Sequence, residues 1–189
     1  MKVDELIRKY GKPYSKELGI NLRKDAFKWF IASILFGARI SEEIAMRTYR
    51  EFEKEGVLSP DKLCKTSWNK LVKMLDAGGY ARYDFKTADK LILICKKLKE
   101  KGGLPGLKKS AKTSRELEKK LMEFKGIGKV TANIFLRELR VLWKNADPEP
   151  LPHIIETAKK LKIKLPRNRK TLKFIKLECA LHRYWRENK

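Results

Sequence analysis

Apolar residues recur at intervals of three and four positions along most of the chain. This spacing places them on one face of an α-helix, which takes 3.6 residues per turn. The segments with this spacing are residues 3–7, 27–35, 44–52, 71–75, 88–98 and 174–181. We find no alternation of period two, which would indicate strands, and no internal repeat. The pattern therefore predicts an all-α protein of roughly nine or ten short helices.

Local signals mark where several of these helices begin and end. Ser59 followed by Pro60 is typical of a helix start, with the serine as N-cap and the proline in the first turn. Thr113 and Glu116 have the spacing of a capping box. Glycines mark helix ends and turns: Gly56, Gly78, Gly79, Gly102 and Gly103. We expect loops at residues 78–80 and 102–112.

The segment from Asn145 to Pro152 is a third predicted loop. It contains three prolines, which prevent a helix from continuing through it. We therefore predict a stiff connector that ends where the next helix begins. Two carboxylates, Asp147 and Glu149, lie in it just before that helix.

The distribution of apolar residues argues against membrane spanning and secretion. A helix needs roughly 20 apolar residues to cross a bilayer, and the longest apolar block, residues 27–38, is interrupted by Lys28. The first five residues, MKVDE, begin no apolar signal stretch. We expect a cytoplasmic protein with no membrane partner.

Cysteine and histidine are too sparse for a disulfide framework or a metal cluster. The three cysteines, Cys64, Cys95 and Cys179, are widely spaced and form no CxxC pair, and only two histidines are present. Such a set is typical of a reducing compartment. We expect the cysteines to be small buried apolar residues, and we expect no structural zinc or iron–sulfur site.

The chain is strongly basic. Its 189 residues include 46 Lys and Arg against 23 Asp and Glu, a formal net charge of +23. From Cys95 to Lys129 there are 12 basic residues against 4 acidic ones, and from Leu151 to Lys189 there are 12 against 3. Because a polyanion relieves this self-repulsion, nucleic acid is the expected partner, and we expect the protein to be associated with the nucleoid. A lysine-rich solubilising surface or thermal adaptation is the alternative.

The most informative segment is residues 121–135. Gly126 and Gly128 bracket a tight turn between two amphipathic helices, and Ile127 lies between them as an apolar plug. Glycines allow the backbone to approach a partner closely. The second helix begins at this turn, so its free N–H groups and Lys129 form an anion site suited to a DNA phosphate.

This segment resembles the helix-hairpin-helix element, apolar-x-Gly-apolar-Gly-x-x-Thr-Ala. The matching residues are Phe124, Gly126, Ile127, Gly128, Thr131 and Ala132. The resemblance implies that Gly126, Ile127, Gly128 and Thr131 grip a DNA phosphate, with Lys129 beside them. An ordinary packed helical turn is the alternative interpretation.

The position of this hairpin in the chain extends the resemblance. A hairpin followed by a Pro-rich loop that holds an acid is similar to the DNA glycosylase superfamily that includes endonuclease III. The similarity covers roughly residues 24–160 and implies a two-lobed helical enzyme with a base-binding cleft. The implied lobes are residues 24–105, and residues 1–23 together with 106–189.

The resemblance also bears on the reaction. Lyase-type members carry a lysine two positions after the second glycine, where it attacks the sugar, and this chain has Val130 there. Lys129 is turned by about 100° around the helix. We therefore expect a monofunctional enzyme that hydrolyses the N-glycosidic bond of a damaged or mispaired base. A bifunctional glycosylase/AP lyase using another lysine and a non-catalytic module that binds DNA structure are the alternatives.

The catalytic acid implied by the resemblance is an aspartate in the Pro-rich loop. Asp147 follows Gly128 by 19 residues, in the expected loop. Some members have Asp-x-His at the start of the next helix, where this chain has Leu151 before Pro152 and His153. We favour Asp147, because one loop insertion restores its position, with Glu149 as the substitute. The alternative is that both acids only cap the following helix, and His153 is interpreted as a cap or packing residue.

The resemblance further implies loops that enter the DNA and no tightly bound cofactor. The candidate inserting residues are Arg39, Tyr80 and Arg82. Endonuclease III carries a C-terminal four-cysteine cluster, whereas Cys179 stands alone here. We expect no iron–sulfur cluster and leave open a monovalent cation at the hairpin. The expected partner is double-stranded DNA containing a lesion or mismatch, bound by a monomer.

Overall fold

The computed structural model describes residues 2–189, which form twelve α-helices and no strand. The helices are α1 Val3–Tyr10, α2 Tyr14–Glu17, α3 Ala26–Phe36, α4 Glu42–Lys54, α5 Pro60–Lys65, α6 Trp68–Ala77, α7 Asp84–Glu100, α8 Gly103–Ser110, α9 Ser114–Met122, α10 Lys129–Glu138, α11 Pro152–Lys160 and α12 Leu172–Glu187. The predicted all-α class is confirmed. No helix within residues 2–189 combines the length and the apolar character that a bilayer crossing requires.

The structure contains more helices than the predicted nine or ten. Helix α2 is only four residues long, and α8 lies inside the predicted loop at residues 102–112. Helix α8 contains two glycines and a proline, which suggested a loop, yet it buries Leu104 and Leu107. Tertiary packing of these two leucines outweighs the low helix propensity of the segment.

The predicted helix starts are confirmed. The Ser59 hydroxyl accepts a hydrogen bond from the Lys62 N–H at the start of α5. The Thr113 hydroxyl accepts one from the Glu116 N–H at the start of α9. The Glu116 carboxylate reaches back to the Lys112 N–H at 2.8 Å, one residue before the position expected in a capping box.

Two separate groups of buried apolar residues form the interior. The larger core surrounds α3, in which every residue from Trp29 to Phe36 is buried. The hairpin helices α9 and α10 belong to this core, because the Phe30 ring packs edge-to-face on Phe135 and on Phe124. The smaller core joins α1, α11 and α12.

The two cores divide the chain differently from the predicted lobes. The larger core extends from Tyr14 to Ala146, so it contains the hairpin that the resemblance assigned to the other lobe. The smaller core takes α1 and the residues from Leu151 onward. The Pro-rich loop at residues 145–152 therefore runs between the two cores.

An arginine on α12 ties the two cores together. Arg183 binds the carboxylates of Glu17 and Glu42 at 2.9 and 3.1 Å and donates to the Tyr10 carbonyl at 3.0 Å. Its guanidinium also lies over the Tyr14 ring. These contacts join α1, α2, α4 and α12, elements that lie far apart in the sequence.

Two of the three cysteines form a disulfide, so the expectation that the cysteines are only small buried apolar residues is wrong for these two. Cys64 on α5 and Cys95 on α7 form a disulfide with a Cα–Cα distance of 5.6 Å. Their separation of 31 residues in sequence gave no sign that the two helices are neighbours. Cys179 is free and buried, as expected.

We predict that reduction of this disulfide lowers the free energy of unfolding by about 3–4 kcal/mol, because it releases a closed loop of this length in the unfolded chain. Chemical denaturation with and without dithiothreitol measures the difference. The Cys64→Ser/Cys95→Ser variant should match the reduced protein and show no response to dithiothreitol. Equal stability of oxidised and reduced wild type would contradict the prediction.

Candidate functional site

The turn between α9 and α10 lies on the surface and has the predicted form. Gly126 has a φ of +81°, a conformation that favours glycine. Gly126, Gly128 and Lys129 are exposed, whereas Ile127 is buried as the apolar plug between the helices. We call residues 126–129 the elbow.

The elbow presents unpaired backbone donors to solvent. No side chain caps α10, whose N-cap is Gly128. A Cβ atom added at Gly128 would meet no atom within 4 Å, so the space beside this residue is open. Free N–H groups and the positive end of the helix dipole therefore face an accessible surface, which suits an anion.

Thr131, predicted to grip phosphate, is instead buried. A Cβ at Gly37 would collide with the Thr131 hydroxyl, so α10 and the end of α3 are in close contact there. The Thr131 side chain consequently holds the elbow against the loop that follows α3. Direct contact of this side chain with DNA would require it to leave that position.

The three residues predicted to enter DNA have different environments. Arg39 and Arg82 are exposed, in the loops after α3 and before α7. Tyr80 is buried, and its hydroxyl donates to the Leu35 carbonyl at 2.9 Å. Burial raises the pKa of Tyr80. The interpretation of Tyr80 as a DNA-inserting residue is therefore wrong, because the turn before it directs the ring into the larger core.

Asp147 is held firmly in the Pro-rich loop. Its carboxylate binds the guanidiniums of Arg140 and Arg169, the latter at 3.2 Å. Its backbone N–H donates to the Ser114 hydroxyl at 3.1 Å. About a quarter of the Asp147 side chain, 27%, is exposed. Two arginines thus compensate the charge of this one carboxylate.

Glu149 is held less tightly. Its carboxylate pairs with Arg169 and is 70% exposed. The hydrogen bond from Arg169 lowers the pKa of Glu149, with the charges of Arg140 and Lys129 adding to the effect. Its backbone carbonyl accepts a hydrogen bond from the Asn133 side chain on α10 at 2.8 Å. The main chain is therefore anchored to α10 while the carboxylate remains accessible.

The elbow and both acids share one cavity. It has a volume of about 650 Å³ and lies between α9, the start of α10 and the Pro-rich loop. Its lining includes Ser114, Glu118, Lys129, Asp147, Glu149 and Arg169. Burial raises the pKa of Glu118, so this carboxyl group binds a proton more readily than an exposed glutamate.

Three of these lining residues were not predicted from the sequence. Arg169 lies in the non-helical segment between α11 and α12, within a run of basic residues that contains no motif. Glu118 and Ser114 occupy ordinary positions on α9. Only the spatial approach of α9 and the Pro-rich loop distinguishes them from other polar surface residues.

His153 is a packing residue, as the sequence analysis favoured. Its Nε2 lies 2.9 Å from Nδ1 of His182, and its ring stacks on Trp185 with centroids 4.3 Å apart. Burial lowers the pKa of His182 to about 2 and also lowers the pKa of His153. Both imidazoles are therefore neutral at physiological pH.

The part of the chain that the structure describes holds no cluster of three or more His, Cys, Asp or Glu side chains that could bind a metal ion. The acids of the cavity are instead interleaved with arginine and lysine. The chemistry available at this site is that of carboxylates, cationic side chains and backbone N–H groups.

Comparison with known proteins shows a likeness of structure and none of sequence. No protein-family model and no curated protein matches the sequence. Among solved structures, the chain is similar to the crystal structure of H. pylori 3-methyladenine DNA glycosylase (MagIII) bound to 1,N6-ethenoadenine. The TM-score is 0.57 and the sequence identity 15%, over 100% of this chain and 99% of that chain. The chain therefore has the all-α fold of a DNA glycosylase.

We predict that Arg169→Gln raises the pKa of Glu149 toward that of an ordinary glutamate, because it removes the main group that lowers it. In the wild type this pair stabilises the fold above the ordinary glutamate pKa, and the contribution is lost as the pH falls through the lowered value. NMR titration of the Glu149 side chain measures the change. Lys119→Gln, which changes an exposed charge on the same cavity, is the control and should leave the titration nearly unchanged.

Proposed function

We propose that this protein is a DNA glycosylase of base-excision repair, which hydrolyses the N-glycosidic bond of a damaged base. The observation that carries the proposal is the shared cavity, in which an anion-binding elbow and two loop carboxylates lie together. The fold and the basic surface support it independently. The parts serve different steps, which are binding of the DNA backbone and stabilisation of the reacting sugar.

Binding begins at the elbow. A phosphate placed there accepts hydrogen bonds from the free N–H groups of α10 and is attracted by Lys129. The charge of +23 adds a general attraction that weakens as salt is added, because each neutralised phosphate releases counterions. These contacts position the strand without selecting a sequence.

The reaction needs a negative charge near the sugar. Positive charge develops on the sugar as the base leaves, and a carboxylate stabilises this charge and orients water. Asp147 is already compensated by Arg140 and Arg169. Glu149 has only Arg169 and faces the open side of the cavity. We therefore assign the catalytic role to Glu149, the second of the two predicted candidates, and a loop-anchoring role to Asp147.

The proposed reaction is hydrolysis, since the residue at the lyase position is Val130. Its side chain is exposed and carries no amine. Lys129, next to it, belongs to the elbow, and we assign its ammonium to the bound phosphate and not to the sugar. Water is then the nucleophile, and the enzyme is monofunctional.

The first substrates to test are alkylated purines. The protein of similar fold is described as a 3-methyladenine DNA glycosylase bound to 1,N6-ethenoadenine. An alkylated purine that carries a positive charge leaves as a neutral base, so such lesions need less help from the enzyme than an unmodified base. We propose 3-methyladenine as the leading candidate.

The test is release of free base from duplexes that contain alkylated, ethenoadenine, uracil, hypoxanthine or oxidised bases. We predict that Glu149→Gln lowers the single-turnover rate by about 10²- to 10⁴-fold, the range typical of a positioned acid–base group. Asp147→Asn should have a smaller effect on the rate and should lower stability, because it leaves the buried Arg140 partly unpaired.

Three outcomes would change the proposal. A rate that falls with Asp147→Asn but not with Glu149→Gln would return the catalytic role to Asp147. A covalent adduct with abasic DNA after borohydride treatment would show an amine nucleophile and a lyase step. Salt-sensitive DNA binding without release of any base would favour a non-catalytic module, a candidate that the pairing of both acids with arginine supports.

The two elbow glycines give a matched pair of variants. We predict that Gly128→Ala keeps the stability of the wild type, since its Cβ meets nothing, but weakens DNA binding on the order of tenfold by obstructing the phosphate. Gly126→Ala should lower stability by about 1–2 kcal/mol, because alanine is strained at its positive φ. Thermal denaturation and fluorescence anisotropy with duplex DNA measure both effects. Unchanged affinity of Gly128→Ala would place the phosphate elsewhere.

A further inference from the structure

Two large aromatic side chains lie exposed side by side on the surface. Trp68, at the start of α6, is 37% exposed, and Phe85, at the start of α7, is 58% exposed. Their ring centroids are 5.3 Å apart and their planes are inclined by 33°. We call Trp68 and Phe85 the aromatic pair. Neither residue belongs to the elbow or lines the cavity that the elbow shares with Asp147 and Glu149.

The aromatic pair is held in place by polar contacts. The Trp68 indole N–H donates to the Asp89 carboxylate at 2.8 Å, which fixes the ring against α7. The Phe85 N–H donates to the Asp84 side chain at 2.7 Å at the start of the same helix. The Trp68 ring is therefore held in a defined orientation, and the backbone of Phe85 is fixed beside it at the start of α7, so a partner that stacks on Trp68 loses little through ordering of this side chain.

A basic groove extends from the elbow to Asp89, the residue that binds the Trp68 indole. Asp89, which holds Trp68, lines a groove of about 370 Å³ together with Lys86, Lys90, Lys125 and Gly126. The Lys90 ammonium lies 3.5 Å from the Gly126 carbonyl. Burial lowers the pKa of Lys90, which is consistent with a lysine stem packed along this groove. Three lysines thus line the path from the elbow toward the two rings.

We propose that the aromatic pair stacks on an unpaired base of the DNA strand held at the elbow. The inference rests on the proposed function to the extent that it requires DNA binding, though not catalysis. An exposed aromatic face accepts any unstacked base, while flanking lysines accept the phosphates on either side. The site therefore selects DNA with unpaired bases over a perfect duplex.

Charge complementarity favours this occupant over a protein partner. The groove beside the pair is lined by three lysines and one carboxylate, Asp89, which is occupied by the Trp68 indole. Three lysines against one carboxylate leave the groove with a net positive charge, as a nucleic acid backbone requires. Nucleic acids supply both the flat rings and the negative charge within each nucleotide.

The experiment compares binding of a duplex with three unpaired thymines and a perfect duplex of equal length, by fluorescence anisotropy. The variants are Phe85→Leu, which keeps an apolar side chain but removes the ring, Trp68→Leu and the rescue variant Phe85→Tyr. Leu172→Ala, which removes an exposed apolar side chain on α12, is the control. Because these side chains are exposed, the variants should fold, and circular dichroism verifies it.

We expect the wild type to prefer the DNA with unpaired thymines. Phe85→Leu and Trp68→Leu should each weaken binding to that DNA by about 5- to 100-fold, the range for loss of one stacked base, and change perfect-duplex binding little. Phe85→Tyr and Leu172→Ala should behave as the wild type. Equal affinity of wild type and Phe85→Leu for both DNAs would overturn the proposal.

The outcomes also separate this inference from the proposed enzymatic function. An aromatic-dependent preference for unpaired thymines in a protein that releases no base supports the stacking site and contradicts the glycosylase proposal. Fast base release, together with DNA binding that does not depend on Trp68 and Phe85, supports the glycosylase proposal and contradicts the stacking site. If Phe85→Leu loses affinity for both DNAs to the same extent, the aromatic pair contacts DNA without distinguishing unpaired from paired bases, and the stacking proposal is overturned.

Discussion

The buried guanidinium of Arg140 is the interaction on which the geometry of the site depends. This side chain is fully buried in the turn that follows α10, and it binds the carboxylates of Asp147 and Glu178 and the carbonyl of Pro148. It thereby fixes the Pro-rich loop to both α10 and α12. A buried charge is tolerated when such partners surround it, and removal of one partner is strongly destabilising. The loop acids are consequently placed by an internal ion pair, and their position relative to the elbow follows from it.

The site brings together side chains of opposite charge. Its cations attract a polyanion, while its carboxylates repel one, and both lie in the same cavity. The pairing of Asp147 and Glu149 with Arg169 reduces this repulsion before DNA arrives. A phosphate that attracts Arg169 would weaken its ion pair with Glu149 and leave the charge of this carboxylate less compensated. Under the proposed function, one arginine would link binding of the DNA backbone to the electrostatics of the proposed catalytic acid.

Features encoded locally were predictable from the sequence. The helix starts at Ser59 and Thr113 and the turn at Gly126 depend on residues within four positions of one another, and all three have the expected form. The Pro-rich loop followed from its prolines alone. Other features depend on segments that come into contact only after folding. They are the disulfide, the burial of the Tyr80 ring and the ion pairs of Arg169 with the loop acids. The spacing of residues along the chain does not indicate which distant segments come into contact, so these features could not be predicted from local sequence patterns.

The close contact between Thr131 and Gly37 limits how far α10 can move relative to the end of α3. Since the hydroxyl of one residue fills the space that a side chain at the other would need, α10 and the end of α3 cannot slide past each other. The elbow and the loop bearing Arg39 are thus packed closely against each other. In the proposed complex, the elbow and the Arg39 loop would contact the same duplex. The duplex would then have to bend in order to reach both of them. Because DNA weakened by a lesion bends most easily, this packing would favour damaged sites over an intact duplex in the proposed complex.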